Sequence, residues 1–487
     1  MPIVSPWPSL EPYPKSSLPA WIERTSLKHG DKPAFIFHDS TVYSFRETFE
    51  LARRIGRLLQ ERGIVKGDRI AFITPNSPSL VIAALGVMWA GAIVQLLNPL
   101  LKERELKYFL TLSGARAGVV SGEPLSRVEA IKGELPDLEA LYSPEELEGR
   151  AREVPPEPWP VEIDAQQDGV LLFNTSGTTG IPKGLLHTHY SILAEIRRLV
   201  LAEGRNARCV FLDITPLFLS FGFNSNGVGA LLAGATQVVM PRFDAEQALA
   251  LIERYRVTNI APPPLALVPM TEAARRSSRD LSSLAFLWVG GAALSRDQEN
   301  KTREALPQVN IRRAYGIAEV SCINSGPPLG AKSESVGPPL PDTTEKVVDL
   351  ESGEEVGPGE TGELLVKGPQ IFRGYWQNPE ADAEAFTPDG WFRTGDIVRA
   401  DEEGYIYILD RRKQMIKYKG YQVSPVELEV VLGEHPAVLE AVVIPKQAPD
   451  VGEVPKAFVV LKPGVQASPE ELKEELMAFV EERVAPY

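Results

Sequence analysis

The chain has 487 residues, of which 44% are apolar and 24% are charged, and its formal net charge is −14. A chain of this length is expected to form two or more domains. Its acidity argues against nucleic-acid binding, which needs a basic face. Only Cys209 and Cys322 occur, far apart, which excludes a disulfide scaffold and fits a reducing cytoplasm. The N-terminal stretch MPIVSPWPSLEPYPKSS has no charged start and no apolar core, so it predicts an extended arm rather than a signal peptide.

From residue 30 to about 330, short apolar runs alternate with amphipathic helical patterns. Such alternation predicts right-handed βαβ units and largely parallel sheets. The helical patterns cover 51–63 and 245–256, and the predicted strands are 69–74, 117–122, 169–173, 237–241 and 284–291.

One apolar stretch, 80–97, is long enough to imitate a membrane span. However, Asn76-Ser77-Pro78 marks a helix start, and Gly86 and Gly91 interrupt the run. A helix–turn–strand unit inside an α/β core is therefore predicted, while peripheral membrane contact stays open.

The pattern changes twice towards the C-terminus. Residues 335–400 read as short strands with frequent glycine and proline, which predicts a small β-rich subdomain. After about 411, strands and helices alternate, and SPEELKEELMAFVEERV opens with a Ser468-x-x-Glu471 capping box. The sequence thus predicts an α/β fold with a large N-terminal domain, 1–409, built of α/β subdomains and the β-rich one, and a small α+β domain, 411–487.

A hydroxyl-rich loop follows the strand predicted at 169–173. The stretch FNTSGTTGIPKG combines glycines, which let backbone N–H groups face a ligand, with hydroxyls and the single cation Lys183. It predicts a phosphate-binding loop, but not a Walker A loop, because Gly184 stands where that motif needs serine or threonine. The candidate residues are Thr175, Ser176, Gly177, Thr178, Thr179, Gly180 and Lys183.

Four further stretches carry chemistry-bearing residues: VGGAAL (289–294), RRAYGIAEVS (312–321), GWFRTGDI (390–397) and LDRRKQMIKYKGYQV (409–423). Each stretch alone could be explained without a function, as a turn, a solvated acidic residue or a basic surface. In this order and spacing, together with TSGTTGIPKG, they resemble the adenylate-forming superfamily, which includes acyl-CoA synthetases, 4-coumarate–CoA ligases and firefly-type luciferases. The resemblance covers nearly the whole chain.

The resemblance implies an ATP-dependent acid–CoA ligase that uses ATP, Mg²⁺ and coenzyme A. It implies that the hydroxyl-rich loop cradles the β- and γ-phosphates, that Glu319 ligates Mg²⁺, and that Asp396 takes the ribose hydroxyls. Lys183, Glu319 and Lys417 would be the catalytic residues. Further nucleotide-binding positions would be Gly290, Gly291, Ala292, Tyr315, Gly316 and Arg411. Asp410 would be the hinge about which the small domain rotates between half-reactions, and Lys417, Gly420 and Gln422 would form the hairpin for thioester formation.

Three departures from the family pattern qualify this expectation. Leu219 stands where relatives often carry histidine, and Ala318 where they usually carry threonine. The terminal lysine segment is not in the sequence, so we expect a chain truncated within its small domain and impaired in adenylation, with thioester formation retained. These departures motivate an alternative of another class, a non-catalytic nucleotide- or acyl-adenylate-binding protein.

The acyl substrate is the least determined feature. Phe221, Gly222, Gly227 and Gly291 are the pocket candidates, in a stretch whose small apolar residues would leave room for an alkyl chain. We therefore expect a medium- or long-chain fatty acid, with an aryl acid as the alternative. The predicted partners are small molecules only, the predicted compartment is the cytoplasm, and the oligomeric state stays open, with a dimer as one option.

Overall fold

The structure is a computed structural model of the chain, and it describes residues 2–38, 40–174, 182–326, 332, 334–411, 416–418, 421–423, 425–448, 452–465 and 468–483. Its α-helices are α1 Leu18–Ser26, α2 Phe45–Glu61, α3 Pro78–Trp89, α4 Glu103–Ser113, α5 Glu123–Ile131, α6 Pro144–Ala151, α7 His189–Ala202, α8 Gly229–Ala233, α9 Ala245–Tyr255, α10 Pro264–Arg276, α11 Arg296–Ala305, α12 Pro379–Ala385, α13 Pro425–Gly433 and α14 Pro469–Glu481. Single 3₁₀ turns lie at Leu27–His29 and Lys132–Glu134, and a π-helix spans Phe221–Val228.

The strands of the first part of the chain are β1 Ile3–Val4, β2 Pro33–Phe37, β3 Val42–Ser44, β4 Arg69–Ile73, β5 Ile93–Leu96, β6 Ala117–Val120, β7 Ala140–Tyr142, β8 Gly169–Asn174, β9 Gly184–Thr188, β10 Val210–Asp213, β11 Thr236–Val239 and β12 Asn259–Ile260. The remaining strands are β13 Phe286–Val289, β14 Asn310–Ile317, β15 Ser321–Ser325, β16 Thr344–Val348, β17 Thr361–Lys367, β18 Gly374–Tyr375, β19 Phe392–Ala400, β20 Ile406–Arg411, β21 Ile416–Tyr418, β22 Tyr421–Val423, β23 Val438–Ala448 and β24 Gly452–Leu461.

Two large sheets confirm the predicted α/β fold. One has the order β15-β14-β13-β12-β10-β11-β2-β3 and the other β18-β9-β8-β5-β4-β6-β7. Their inner strands pair in parallel, antiparallel strands close both edges of the first sheet and the β18–β9 side of the second, and the outer strand β7 pairs in parallel with β6. Parallel strands joined by helices bury both faces of the sheet, and the carboxyl ends of such strands are where α/β folds bind ligands.

The two smaller sheets are antiparallel. The sheet β1-β16-β17-β19-β20 is the β-rich subdomain, and the N-terminal arm joins it through the pairing of Ile3 with Glu345. The sheet β22-β21-β24-β23 packs with α13 and α14 around a small apolar core that includes Ile416, Leu432 and Leu476. Both units have the secondary structure that the sequence predicted, while the exact limits at 409–411 stay a prediction.

Local sequence signals explain most element boundaries. The stretch 80–97 folds into α3 and β5, as predicted, and among the described residues no helix is long and apolar enough to cross a bilayer. The Ser468–Glu471 capping box is confirmed at α14. Helix α2 begins earlier than predicted, because Ser44 and Glu47 form a capping box of their own that fixes its first turn.

Candidate active site

The hydroxyl-rich loop joins two antiparallel neighbours, β8 and β9, whose ends Asn174 and Gly184 are cross-strand partners. The loop residues Thr175, Ser176, Gly177, Thr178, Thr179 and Gly180 lie outside the described residues. The chain is described again from Pro182, whose carbonyl accepts a hydrogen bond of 2.8 Å from the Tyr108 hydroxyl. Lys183 is half-buried immediately before β9.

Tyr375 brings Lys183 and Glu319 together. The Lys183 Nζ lies 4.8 Å from the centroid of the Tyr375 ring, within the range of a cation–π contact. The Tyr375 hydroxyl donates a hydrogen bond of 3.2 Å to Glu319 Oε1. A cation and a carboxylate predicted from separate motifs therefore meet on two parts of one aromatic side chain.

Glu319 is fixed at its backbone as well. Its carbonyl oxygen accepts a hydrogen bond of 2.9 Å from the Phe372 N–H. Burial raises the pKa of the Glu319 carboxyl, while the Tyr375 hydroxyl and the positive charge of Arg411 act in the opposite direction. The side chain is thus a half-buried acid whose charged form is supported by two neighbours.

Asp396 forms a second centre with Tyr315 and Arg411. The Tyr315 hydroxyl donates a hydrogen bond of 2.5 Å to Asp396 Oδ2, and Arg411 Nε lies 3.0 Å from Oδ1. Only 2% of Asp396 is exposed. Burial raises its pKa, and Arg411 and Tyr315 oppose that shift. The backbone N–H of Asp396 donates to the Thr394 hydroxyl at 3.1 Å, which orients the turn.

The two glycines after β13 differ in their surroundings. Gly290 is buried, and a Cβ added there would lie 3.0 Å from the Ala314 carbonyl oxygen and 3.6 Å from Phe221 Cζ. Gly291 has a φ of +84°, which favours glycine, and it is exposed like Ala292. Gly316 lies at a bulge between β14 and β15, where a Cβ would come 2.2 Å from the Ser321 carbonyl oxygen.

Backbone packing at the π-helix explains why position 222 is a glycine, without any need for space in a pocket. A Cβ at Gly222 would lie 2.1 Å from the Pro216 carbonyl oxygen, so backbone already fills the place that a side chain would need. At Gly227 a Cβ would make ordinary contacts of 3.6 to 3.8 Å with Val81, Leu217 and Phe223. The place of both glycines in an acyl pocket stays a prediction. Leu219, just before the π-helix, is 45% exposed.

The two neighbouring histidines have structural partners. His187 donates from Nε2 to the Ala318 carbonyl oxygen at 2.9 Å, and His189 Nδ1 accepts from the Leu18 N–H at 3.0 Å. Burial lowers the pKa of each to about 4, so both are neutral near pH 7. Within the described ranges, no group of three or more His, Cys, Asp or Glu side chains could hold a metal ion.

The hinge and hairpin candidates lie at the end of the β-rich sheet and beyond it. Asp410 is buried in β20, opposite Ile397, and its Oδ1 accepts a hydrogen bond of 2.6 Å from the Arg411 N–H. Lys417 and Gln422 are cross-strand partners in the β21–β22 hairpin. Gly420 lies outside the described residues.

Lys183 and Glu319 thus meet at Tyr375. Tyr315 and Arg411 meet at Asp396, with Arg411 acting electrostatically on both carboxylates. No hydrogen bond or ring contact between described residues joins the predicted glycines to these two groups, and the place of the hairpin residues relative to them stays a prediction. The prediction missed Tyr375. Its signal in the sequence is the stretch GYWQNP, in which an aromatic residue follows a glycine. The contact with Glu319 spans 56 positions, so local pattern could not reveal it.

The site thus combines two buried or half-buried carboxylates with a lysine that follows the predicted phosphate-binding loop, as an adenylate-forming ligase requires. The chain belongs to the AMP-binding enzyme family: the model "AMP-binding enzyme" matches residues 22–376, and "AMP-binding enzyme C-terminal domain" matches residues 427–487. The second match extends to the last residue, and the expected truncation stays a prediction.

The relatives are CoA ligases. The chain is 32% identical over 494 residues to "Peroxisomal OPC-8:0-CoA ligase 1" of Arabidopsis thaliana, covering 98% of this chain and 89% of the relative. It is also 32% identical over 512 residues to "Long-chain-fatty-acid--CoA ligase" of Bacillus subtilis, covering 98% and 90%. Among solved structures, the anthranilate CoA ligase AuaEII in complex with anthranoyl-AMP matches with a TM-score of 0.87 and 29% identity, over 98% of this chain and 92% of that chain.

These similarities identify the chain as an adenylate-forming acid–CoA ligase. In this reaction the acid carboxylate attacks the α-phosphorus of ATP, pyrophosphate leaves and acyl-AMP forms. The thiol of coenzyme A then attacks the acyl carbonyl, and AMP leaves. The predicted enzyme class is confirmed, and the non-catalytic alternative loses its support.

Proposed function

We propose that the acid is a medium- or long-chain fatty acid and that the reaction takes place in the cytoplasm. The coverage of 98% of the chain by a long-chain fatty acid–CoA ligase supports this choice, as does the buried run of the π-helix beside Phe221. The two free cysteines favour a reducing compartment. An aryl acid is the second candidate, because a ligase of the aryl acid anthranilate has the same fold over nearly the whole chain.

A panel of acids separates the two substrates. AMP release that depends on coenzyme A would be measured with alkanoic acids of increasing length and with benzoic and cinnamic acids. The proposal expects the highest kcat/KM for an alkanoic acid in the medium or long range. A higher kcat/KM for an aryl acid than for every alkanoic acid would reject it.

The nucleotide roles rest on one observation, the convergence of Lys183 and Glu319 on Tyr375. Lys183 would neutralise charge on the β- and γ-phosphates together with the hydroxyl-rich loop, and Asp396 would accept the ribose hydroxyls. Tyr315 would stack on adenine, and Arg411 would assist at the ribose. Gly290, Gly291 and Ala292 would let the nucleotide and the acyl carboxylate approach the backbone. Preorganised charge of this kind accounts for most of the rate in phosphoryl-type chemistry.

Glu319 fits a magnesium ligand. Mg²⁺ in nucleotide sites takes one or two carboxylates and completes its shell with phosphate oxygens and water, so a single acidic side chain that shares Tyr375 with Lys183 suffices. The Tyr375 hydroxyl contacts only Oε1. A bound Mg²⁺ would offset the negative charge that develops on the leaving pyrophosphate.

Glu319→Gln tests this assignment. The variant keeps the shape of the side chain but loses the charge that would bind the metal, so pyrophosphate exchange is expected to fall about 10²–10³-fold. Glu148→Gln is the matched control, because Glu148 also accepts a tyrosine hydroxyl at 3.2 Å, from Tyr43 in β3, at the opposite edge of the sheet from β15. Exchange in Glu319→Gln equal to that in the control would refute the role.

The hinge and hairpin assignments are also proposals. Asp410 is the next-to-last residue of β20, which ends at Arg411, and this place at the end of the sheet suits a pivot for the domain that follows. Rotation there would bring Lys417, Gly420 and Gln422 to the acyl-AMP for the second half-reaction.

A further inference from the structure

None of the roles proposed above involves Tyr375, yet Tyr375 contacts Lys183 and Glu319, which both have a proposed role. Its ring lies under the Lys183 ammonium at 4.8 Å, and its hydroxyl donates to Glu319 Oε1 at 3.2 Å. The ring also packs edge-on against Phe372 at 5.0 Å. Phe372 in turn donates its N–H to the Glu319 carbonyl. The short segment 372–376 therefore holds Glu319 at both its backbone and its side chain.

The same segment is bound to the strand that follows Lys183. Tyr375 pairs with Leu185 across β18 and β9, and the Trp376 N–H donates to the Gly184 carbonyl at 2.8 Å. The Tyr375 N–H donates a hydrogen bond of 2.7 Å to Asp382 Oδ1. Because the backbone of Tyr375 is fixed on both sides, its ring and hydroxyl are held in a set position between the lysine and the carboxylate.

This position matters because Lys183 and Glu319 carry opposite charges. If the two paired directly, each would neutralise the other, and neither would be available to phosphate or metal. A tyrosine ring attracts a cation through its quadrupole and carries no negative charge, and a hydroxyl supports a carboxylate while contacting one of its oxygens. Tyr375 can therefore orient both groups without cancelling either charge.

We propose that Tyr375 is a positioning residue of the adenylation step, which directs Lys183 through its ring and Glu319 through its hydroxyl towards the ATP phosphates and their metal. The inference rests on the roles proposed above for Lys183 and Glu319. It assigns Tyr375 no part in the thioester-forming half-reaction.

The test uses two substitutions and one matched control. Tyr375→Phe removes the hydroxyl and keeps the ring, and Tyr375→Leu removes both. Tyr43→Phe removes a hydroxyl that donates to Glu148 at the same distance of 3.2 Å, away from the site. Each variant would be assayed for pyrophosphate exchange as a function of Mg²⁺ and ATP, and for thioester formation from synthetic acyl-AMP and coenzyme A.

Tyr375→Phe is expected to raise the Mg²⁺ concentration for half-maximal exchange about tenfold, as for loss of one hydrogen bond to a charged group. Tyr375→Leu is expected to lose a further 3–10-fold and to raise the KM for ATP, because the contact with Lys183 is also gone. Thioester formation is expected to stay within about twofold in both, and Tyr43→Phe to match the wild type in both assays. In the double variant Tyr375→Phe/Glu319→Gln, the two losses should not multiply.

Two outcomes would overturn the inference. Exchange by Tyr375→Phe equal to that of Tyr43→Phe would remove the hydroxyl from the mechanism, and equal losses in both half-reactions would indicate a merely structural role. The single variant Glu319→Gln distinguishes a failure of this inference about Tyr375 from a failure of the proposed function. If that variant exchanges normally, the metal assignment fails; if it is impaired while Tyr375→Phe is not, the role of the Tyr375 hydroxyl fails, and exchange by Tyr375→Leu equal to that of Tyr375→Phe would remove the ring as well. Should Tyr375→Leu not fold, Tyr375→Phe still decides the role of the hydroxyl.

Discussion

Asp396 has capacity for two further hydrogen bonds beyond those it makes. A carboxylate offers about four lone-pair sites, and the Tyr315 hydroxyl and Arg411 Nε occupy one on each oxygen. Two sites are left for the two hydroxyls of a ribose. The surrounding burial raises the pKa of Asp396, and the charge of Arg411 and the Tyr315 hydroxyl oppose this shift by stabilising the charged form.

Asp396→Ala is expected to weaken ATP binding about 100-fold or more, because two hydrogen bonds to a charged acceptor are lost together. Calorimetric titration with a non-hydrolysable ATP analogue measures the change. Asp401→Ala is the control, since Asp401 also binds a cation and a tyrosine, Lys332 at 2.7 Å and Tyr407 at 3.3 Å. Equal affinities in the two variants would exclude Asp396 from the ribose site.

The elements show what the sequence could and could not reveal. Strands such as β4 and β8 and the helix–turn–strand unit of α3 and β5 were predicted, because apolar runs and capping residues act over a few positions. The π-helix was not predicted. Its residues FGFNSNGV have no 3.6-residue period, and a widened turn of this kind depends on packing against the rest of the fold. Contacts across long sequence distances, such as Tyr375 with Glu319, were missed for the same reason.

The two glycines of the π-helix provide a prediction at this scale. Gly222→Ala is expected to destabilise the protein by about 1–3 kcal/mol, since its Cβ would meet the Pro216 carbonyl oxygen at 2.1 Å and backbone would have to move. Gly227→Ala is expected to stay within about 1 kcal/mol of the wild type, because its Cβ fits at 3.6 Å or more. Denaturant unfolding of both variants compares them, and similar losses would contradict the packing of this helix.

At the scale of the whole molecule, buried titrating groups set the pH dependence of stability. Burial lowers the pKa of His187 and His189 to about 4, so their neutral forms favour folding and their contribution is lost as the pH falls from about 6.5 towards 4. Burial raises the pKa of Glu195 and Asp213 to about 7 and that of Glu345 to about 8. The contributions of these three carboxyl groups to stability depend on pH in the opposite direction. They are complete below about pH 4.5 and are lost as the pH rises through the folded values.

Above about pH 6.5 the effect of the two histidines on the slope fades, and buried carboxyls with raised pKa values lower the stability as the pH rises. Glu345 has the highest of the three folded pKa values, and its side chain is fully buried in β16. It should therefore reduce the free energy of unfolding by up to about 1.4 kcal/mol for each pH unit between 6.5 and 8. Glu345→Gln removes the ionisation and keeps the shape, so thermal unfolding midpoints should fall less steeply over this range than in the wild type.

Glu299→Gln is the control for that measurement. Glu299 is also buried, but its oxygens bind Arg303 at 3.0 Å and Arg313 at 2.7 Å, so removing its charge leaves two arginines without their charged partner and should lower stability at both ends of the range. The two substitutions therefore have opposite expected effects at pH 8 relative to the wild type: Glu345→Gln gains stability and Glu299→Gln loses it. If the midpoint of Glu345→Gln falls as steeply with pH as that of the wild type, Glu345 is ionised in the folded protein below pH 6.5, and the environment of β16 is more polar than its burial implies.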